Sequence, residues 1–170
     1  MAFVVLQQVS SKYAVANAAI SLEKRVDLKY IKPFVNPNRF MELEAHYGCG
    51  AAHLWGAKLE RHHQVHRMVP NHSLVLFRRS GRIFKIGLIK DLLVNVSLAE
   101  RIWGFDHDDG ETWGIIYLMD DIRDVSLSAA EINKAIGRKA KDSWRGMVSL
   151  EGPLAEQAIN YVSKQLQTKP

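Results

Sequence analysis

The sequence predicts an α+β domain, and three observations carry that reading. Two apolar, β-branched runs, SLVLFRR (residues 73–79) and IFKIGLI (83–89), flank the turn residues Ser80-Gly81-Arg82, which is the pattern of a β-hairpin. A third run, WGIIYLM (113–119), closes on Asp120-Asp121-Ile122. Helical periodicity and capping signals lie before and after this block, so strands and helices are segregated rather than strictly alternating, and a doubly wound parallel sheet is not expected.

Each element follows from local chemistry. Residues 11–25 set Tyr13, Ala14, Ile20 and Leu22 at weakly helical spacing and end in Glu23-Lys24-Arg25. Residues 28–35 (LKYIKPFV) alternate as a strand, which Pro33 confines to an edge or an end. Asn36-Pro37-Asn38 signals a turn and an N-cap for two helical turns over residues 39–47, stopped by Gly48. Gly48-Cys49-Gly50 is a small-residue lead into His53-Leu54-Trp55-Gly56, and residues 59–68 read as a short helix ended by Pro70. After the hairpin, RIWGF (101–105) and an acidic loop precede the third strand. Ser128 and Glu131 form a capping box for a helix that ends before Gly137. Residues 137–152 are a polar, basic loop carrying Trp144, a side chain that stacks on a flipped-out neighbour, wedges into a duplex or packs on the terminal helix. Pro153 opens that last helix, which runs to about Gln167 with Leu154, Ala158, Ile159, Val162 and Leu166 on its buried face. The expected division is an amino-terminal helical extension over residues 1–27 and one domain over residues 28–167.

With 170 residues, 47% hydrophobic and 24% charged, the chain has the size and composition of one water-soluble domain. Cys49 is the only cysteine, which rules out an intramolecular disulfide and suits a reducing compartment. The opening MAFVVLQQ lacks the basic flank and cleavage site of a signal peptide, and no apolar run reaches the length of a membrane span. The expectation is a cytoplasmic protein without a membrane partner. The net charge of +5 is unevenly spread. Basic residues gather at Arg78, Arg79 and Arg82 and again at Lys139, Lys141 and Arg145, which makes these six the candidates for phosphate contacts. Carboxylates gather at Asp106, Asp108, Asp109 and Glu111, then at Asp120, Asp121 and Asp124.

Signals for catalysis are sparse. The chain has no nucleophile elbow, phosphate loop, dinucleotide fingerprint or deaminase signature, so no cofactor is expected. His62 and His66 share a face if their segment is helical, but no second ligand pair at metal spacing completes a site, and no metal is expected. Asp120-Asp121 at a strand end is the best enzymatic handle, and it supports the alternative of a small metal-dependent nuclease.

A collinear series of short motifs adds a family resemblance. LWGA (54–57), LVLFRRSGRIFKIGLI (74–89), IWGF (102–105), IYLMDDI (116–122) and PLAEQAINYV (153–162) follow one another as in YTH and EVE domains. Over residues 28–167 the chain resembles these members of the PUA-like superfamily, which include N-terminal specificity domains of modification-dependent restriction systems. The resemblance implies a small curved mixed sheet or open barrel of about five or six strands with helices packed outside. It implies a binding domain, not an enzyme, that recognises methylated adenine or cytosine flipped into an aromatic cage. Catalysis would then reside on a fused or bound nuclease or NTPase partner. In that pattern Trp55 and Trp103, both expected on loops, sandwich the base, and Phe105 and Trp113 are candidates for a third wall. Asn36, Asp106 and Asp108 are the candidates for reading the base edge. Modified DNA is the expected partner; a YTH-type reader of N6-methyladenine in RNA is the alternative.

Overall fold

The computed structural model describes residues 2–68 and 70–168. Its strands are β1 (Phe3–Gln8), β2 (Val26–Asp27), β3 (Ala51–Ala57), β4 (Ser73–Arg79), β5 (Arg82–Val94), β6 (Ile115–Ser128) and β7 (Met147–Glu151). They form one mixed sheet in the order β2-β3-β6-β5-β4-β1-β7, which is open rather than closed into a barrel. The α-helices are α1 (Lys12–Asn17), α2 (Pro37–His46), α3 (His62–Val65), α4 (Val96–Trp103), α5 (Ala129–Ala135) and α6 (Gly152–Gln167). No described helix is long and apolar enough to cross a membrane. The α+β class with a mixed sheet is as expected, with seven strands in place of five or six.

The chain divides into two compact units. The first comprises the described parts of residues 1–10, 67–88 and 122–170; the second comprises residues 11–66 and 89–121. In the first unit β1 runs parallel to β4, with Phe3 opposite Ser73, and antiparallel to β7, with Val4 opposite Leu150. Both edges of β1 are thus paired, and both of its faces are covered as well: Phe3-Val4-Val5-Leu6 is a continuous apolar run, fully buried, as in strands of parallel sheets. Residues 3–8 are therefore a sheet strand within this unit, where the sequence reading had placed a helical extension. Ser80 and Gly81 take φ of 48° and 73°, the left-handed pair that a two-residue hairpin turn requires. The core of the unit packs Leu6, Leu76, Ile83 and Ile132 against Trp144 and against Ala158 and Val162 of α6.

In the second unit, Ser11 caps α1 by accepting a hydrogen bond from the Ala14 amide at 3.0 Å. The helix then widens into a π-helical turn over Ala18–Leu22, closed by the Glu23 amide on the Ala18 carbonyl at 2.8 Å. Residues 28–35, expected as a strand, instead form two 3₁₀ turns, Leu28–Tyr30 and Lys32–Phe34. The reason is local: the Asp27 carboxylate caps the Lys29 amide at 2.8 Å, and Pro33 enters at the start of the second turn. Asn36 caps α2, accepting from the Arg39 amide at 2.8 Å. Buried Asp91 of β5 ties that helix down through Arg39 and His46, both at 2.9 Å. Burial, together with Asp91, pushes the Tyr47 hydroxyl well above its ordinary pKa.

Candidate nucleic-acid interface

The aromatic residues singled out from the sequence converge in the second unit, but as a packed cluster. Trp55 lies in β3, directly opposite Tyr117 of β6; Trp103 is the last residue of α4; Trp113 stands two residues before β6. Trp113 contacts both of the others, with ring centroids 4.6 Å from Trp55 and 5.3 Å from Trp103. These are ordinary ring–ring contacts, with no room for a base between either pair. The three side chains are 0%, 6% and 7% exposed in the order Trp55, Trp103, Trp113. The expectation that Trp55 and Trp103 stand on loops is therefore corrected. Gly56 misled it, because glycine beside a tryptophan suggests a loop. Here the glycine permits close approach within the sheet: a Cβ would sit 2.7 Å from the Ile115 carbonyl and 2.8 Å from the Trp113 Cβ.

Two further residues complete the cluster and were not singled out from the sequence. Tyr13 of α1 meets Trp113 edge-on at 5.0 Å, and its hydroxyl donates to the Gly104 carbonyl at 3.0 Å. Ser21 of the π turn accepts from the Trp103 indole at 2.9 Å and donates to the Leu54 carbonyl at 2.9 Å. Tyr13, Asn17 and Ser21 are spaced four apart, the helical signal by which the sequence marks this face. Asn17 between them is buried, and its amide nitrogen has no hydrogen-bond partner among the described residues.

Phe105 behaves differently. It is 52% exposed and lines a cavity of about 250 Å³ with Leu59, Val96, Glu100, Glu111 and Thr112. The Thr112 hydroxyl lies 3.4 Å from that of Tyr13, so the cavity adjoins the edge of the aromatic cluster. The loop beside it is held by its own carboxylates. Asp106 accepts from the Asp108 amide at 3.1 Å, and Lys58 bonds Asp109 and approaches Asp106 at 3.7 Å. The hydrogen bond from Lys58 holds the Asp109 carboxyl below its ordinary pKa. Asn36, Asp106 and Asp108 each fall on a cap or loop, with the Asn36 and Asp106 oxygens already engaged locally.

The basic residues lie in the first unit, where Arg78 links the hairpin to the basic loop. Arg78, at the end of β4, donates to the Asp142 carbonyl at 2.7 Å and lies over the Trp144 ring at 5.4 Å. Trp144 is fully buried, and its indole donates to Asn133 at 2.9 Å, so it is a core residue that anchors the basic loop and not a duplex wedge. Arg79 covers the Phe84 ring, and Arg82 donates to the Ser126 carbonyl at 2.8 Å. Lys139, Lys141 and Arg145 are exposed on the anchored loop.

The remaining candidates carry little chemistry. Asp120 is held by Arg25 at 2.9 Å and Lys90 at 3.4 Å, and the hydrogen bond from Arg25 lowers its pKa. His62 and His66 stack at 6.1 Å, and among the described residues no group of three His, Cys, Asp or Glu side chains is placed to hold a metal ion.

The open mixed sheet with flanking helices is an α+β fold, the class the sequence predicted. The fold is shared with the N-terminal domain of Thermococcus gammatolerans McrB bound to m5C DNA. The TM-score is 0.69 at 15% identity, over 96% of this chain and 98% of that one. No family model and no curated protein matches the chain.

Proposed function

We propose that this chain is a binding module for DNA carrying a modified base, methylated adenine or cytosine, which it flips from the stack and holds against aromatic rings. The observation that carries the reading is the tryptophan cluster with a cavity at its edge, in a fold shared with a domain bound to m5C DNA. In this reading the base enters beside Phe105, Trp103 and Trp113 form the backing of the cage, and Trp55 holds both in position. Carboxylates accept from exocyclic amino groups, which gives Asp106 and Asp108 a role at the base edge; Asn36 offers the amide nitrogen that its cap leaves unused. Arg78, Arg79, Arg82, Lys139, Lys141 and Arg145 hold backbone phosphates, positioning the nucleic acid without reading it. The chain supplies specificity, and cleavage falls to a nuclease or NTPase partner of a restriction system.

A binding panel at one salt concentration tests this. Duplex and single-stranded DNA and RNA are compared with and without N6-methyladenine or 5-methylcytosine. A preference of tenfold or more for a modified DNA is the expected result. Equal affinity for modified and unmodified strands overturns the reading, and a preference confined to methylated RNA replaces it with the RNA-reader alternative. Phe105→Ala should reduce the preference by about 1–3 kcal/mol with the fold intact, because this ring supplies stacking and little core.

A further inference from the structure

A second cavity of the second unit, about 370 Å³ in volume, has chemistry opposite to the one beside Phe105. Ile20, Val26 and Ile102 make its apolar floor, Tyr30 one wall, and Arg25 and Arg101 its cationic side. Tyr30 is 58% exposed and Ile20 46%, an open aromatic and aliphatic surface where a folded chain usually covers such groups. Arg25 is committed to Asp120, but Arg101 is exposed and makes no hydrogen bond or ion pair with another described residue. Lys24 and Lys29, the sequence neighbours of two lining residues, are exposed with side chains equally unpaired among the described residues. Asp27, the one carboxylate in the lining, is turned to the Lys29 amide.

The Phe105 cavity is lined by Glu60, Glu100 and Glu111, which repel a phosphate. The Tyr30 cavity attracts one and adds a flat ring and an apolar floor. Stacking needs only a planar partner, and a guanidinium fork matches phosphate oxygens in pairs. We propose that the Tyr30 cavity is a second nucleotide site, which stacks an unpaired base on Tyr30 and holds its phosphate on Arg101. The proposal rests on the reading of the chain as a nucleic-acid binder, and it assigns this site to a base other than the modified one.

Two measurements test it. The isotope-labelled chain is titrated with deoxycytidine and deoxyadenosine monophosphates, with the nucleosides and inorganic phosphate as controls, and resonances are followed by NMR. Both nucleotides should shift Tyr30, Arg101 and Ile102 more than either control does. Tyr30→Ala should remove the base-dependent part, and Arg101→Ala the phosphate-dependent part. In the second measurement, Tyr30→Ala should weaken binding to single-stranded DNA about five- to a hundredfold with the modified-to-unmodified ratio unchanged. Both side chains are exposed, so the variants should keep the fold. Nucleotides that leave these resonances unmoved overturn the proposal; a protein partner at this surface would give that result. A response to phosphate equal to that of the nucleotides reduces the site to an anion contact and also overturns it. If the nucleotides bind here while the wild type shows no modified-base preference, only the modified-base reading falls.

Discussion

Asn133 shows how much structure one buried amide can hold. Its nitrogen donates to the Ala140 carbonyl at 3.1 Å and the Asp142 carbonyl at 2.9 Å, and its oxygen accepts from the Trp144 indole at 2.9 Å. Asn133→Leu would leave the Ala140 carbonyl and the Trp144 indole without these partners, while the Asp142 carbonyl keeps Arg78; each group left unpaired costs about 1–3 kcal/mol when buried. The expected result is a loss of at least about 2 kcal/mol in denaturant unfolding, with the basic loop disordered. At the tryptophans the same logic separates packing from ligand contact. Trp113→Ala and Trp55→Ala should each destabilise by about 3–5 kcal/mol, the usual result of emptying a core site. A Trp55→Ala protein that unfolds at the wild-type midpoint would show that this ring is not the internal support proposed for it. Gly56→Ala should cost about 1–3 kcal/mol, because the added methyl meets backbone. The sequence located the aromatic residues but not their burial. A tryptophan between small residues has the same local pattern in a loop and in a strand that lies hard against another ring.

Among the elements, the loop over residues 137–146 is the clearest case of a surface built by its anchor. Its exposed cations are expected to act through counterion release. Lys139→Ala and Lys141→Ala should each lower the slope of log affinity against log salt by about 0.9 on duplex DNA, for modified and unmodified strands alike. Arg145 takes φ of 40°, a conformation that glycine adopts without strain, so Arg145→Gly should remove the charge without loss of stability. An unchanged salt slope would place the phosphate contacts elsewhere. Arg78→Ala should behave differently and destabilise the loop, since its guanidinium is engaged with Asp142 and Trp144. Near β2 and β6, the hydrogen bond from Arg25 holds the Asp120 carboxyl below the usual carboxylate range. A depressed folded-state pKa contributes stability above the unfolded value and loses it as pH falls through the folded one. Arg25→Ala should raise the Asp120 midpoint in an NMR titration and leave stability above pH 6 free of any pH dependence from this group. The element boundaries show what local signals reach. Ser128, Asn36 and Pro153 marked helix starts by capping chemistry, and the hairpin was plain from its turn. Helix α4 and strand β7 went unread: α4 carries a clear signal, the Asn95 cap followed by Leu98, Ala99, Ile102 and Trp103 on one face, but over only eight residues, and Met147-Val-Ser-Leu-Glu is too short to stand out from a polar loop.

At the scale of the whole molecule, the fold class was legible because several local patterns agreed in order, and agreement among weak signals is itself informative. The division of the chain was not. A boundary at residue 27 follows the amino-terminal helical pattern and the span of the family resemblance, whereas the two compact units are assembled from interleaved segments, and β5 and β6 contribute residues to both. Neither unit is a single contiguous segment of the chain. A fragment of residues 28–167 therefore lacks β1, and it should show loss of cooperative unfolding by circular dichroism, where a self-contained domain over that span would unfold as the full chain does. The placement of β1 has a further consequence for synthesis on the ribosome. Phe3-Val-Val-Leu-Gln-Gln is uncharged, free of proline and glycine and rich in β-formers, the make-up of a segment that pairs with whatever edge it meets. Its parallel neighbour, β4, starts at residue 73, and its antiparallel neighbour, β7, is not finished until residue 151. From the synthesis of residue 8 until that of residue 151 this strand has one side without a native partner, and the last strand of its sheet is the one that encloses it.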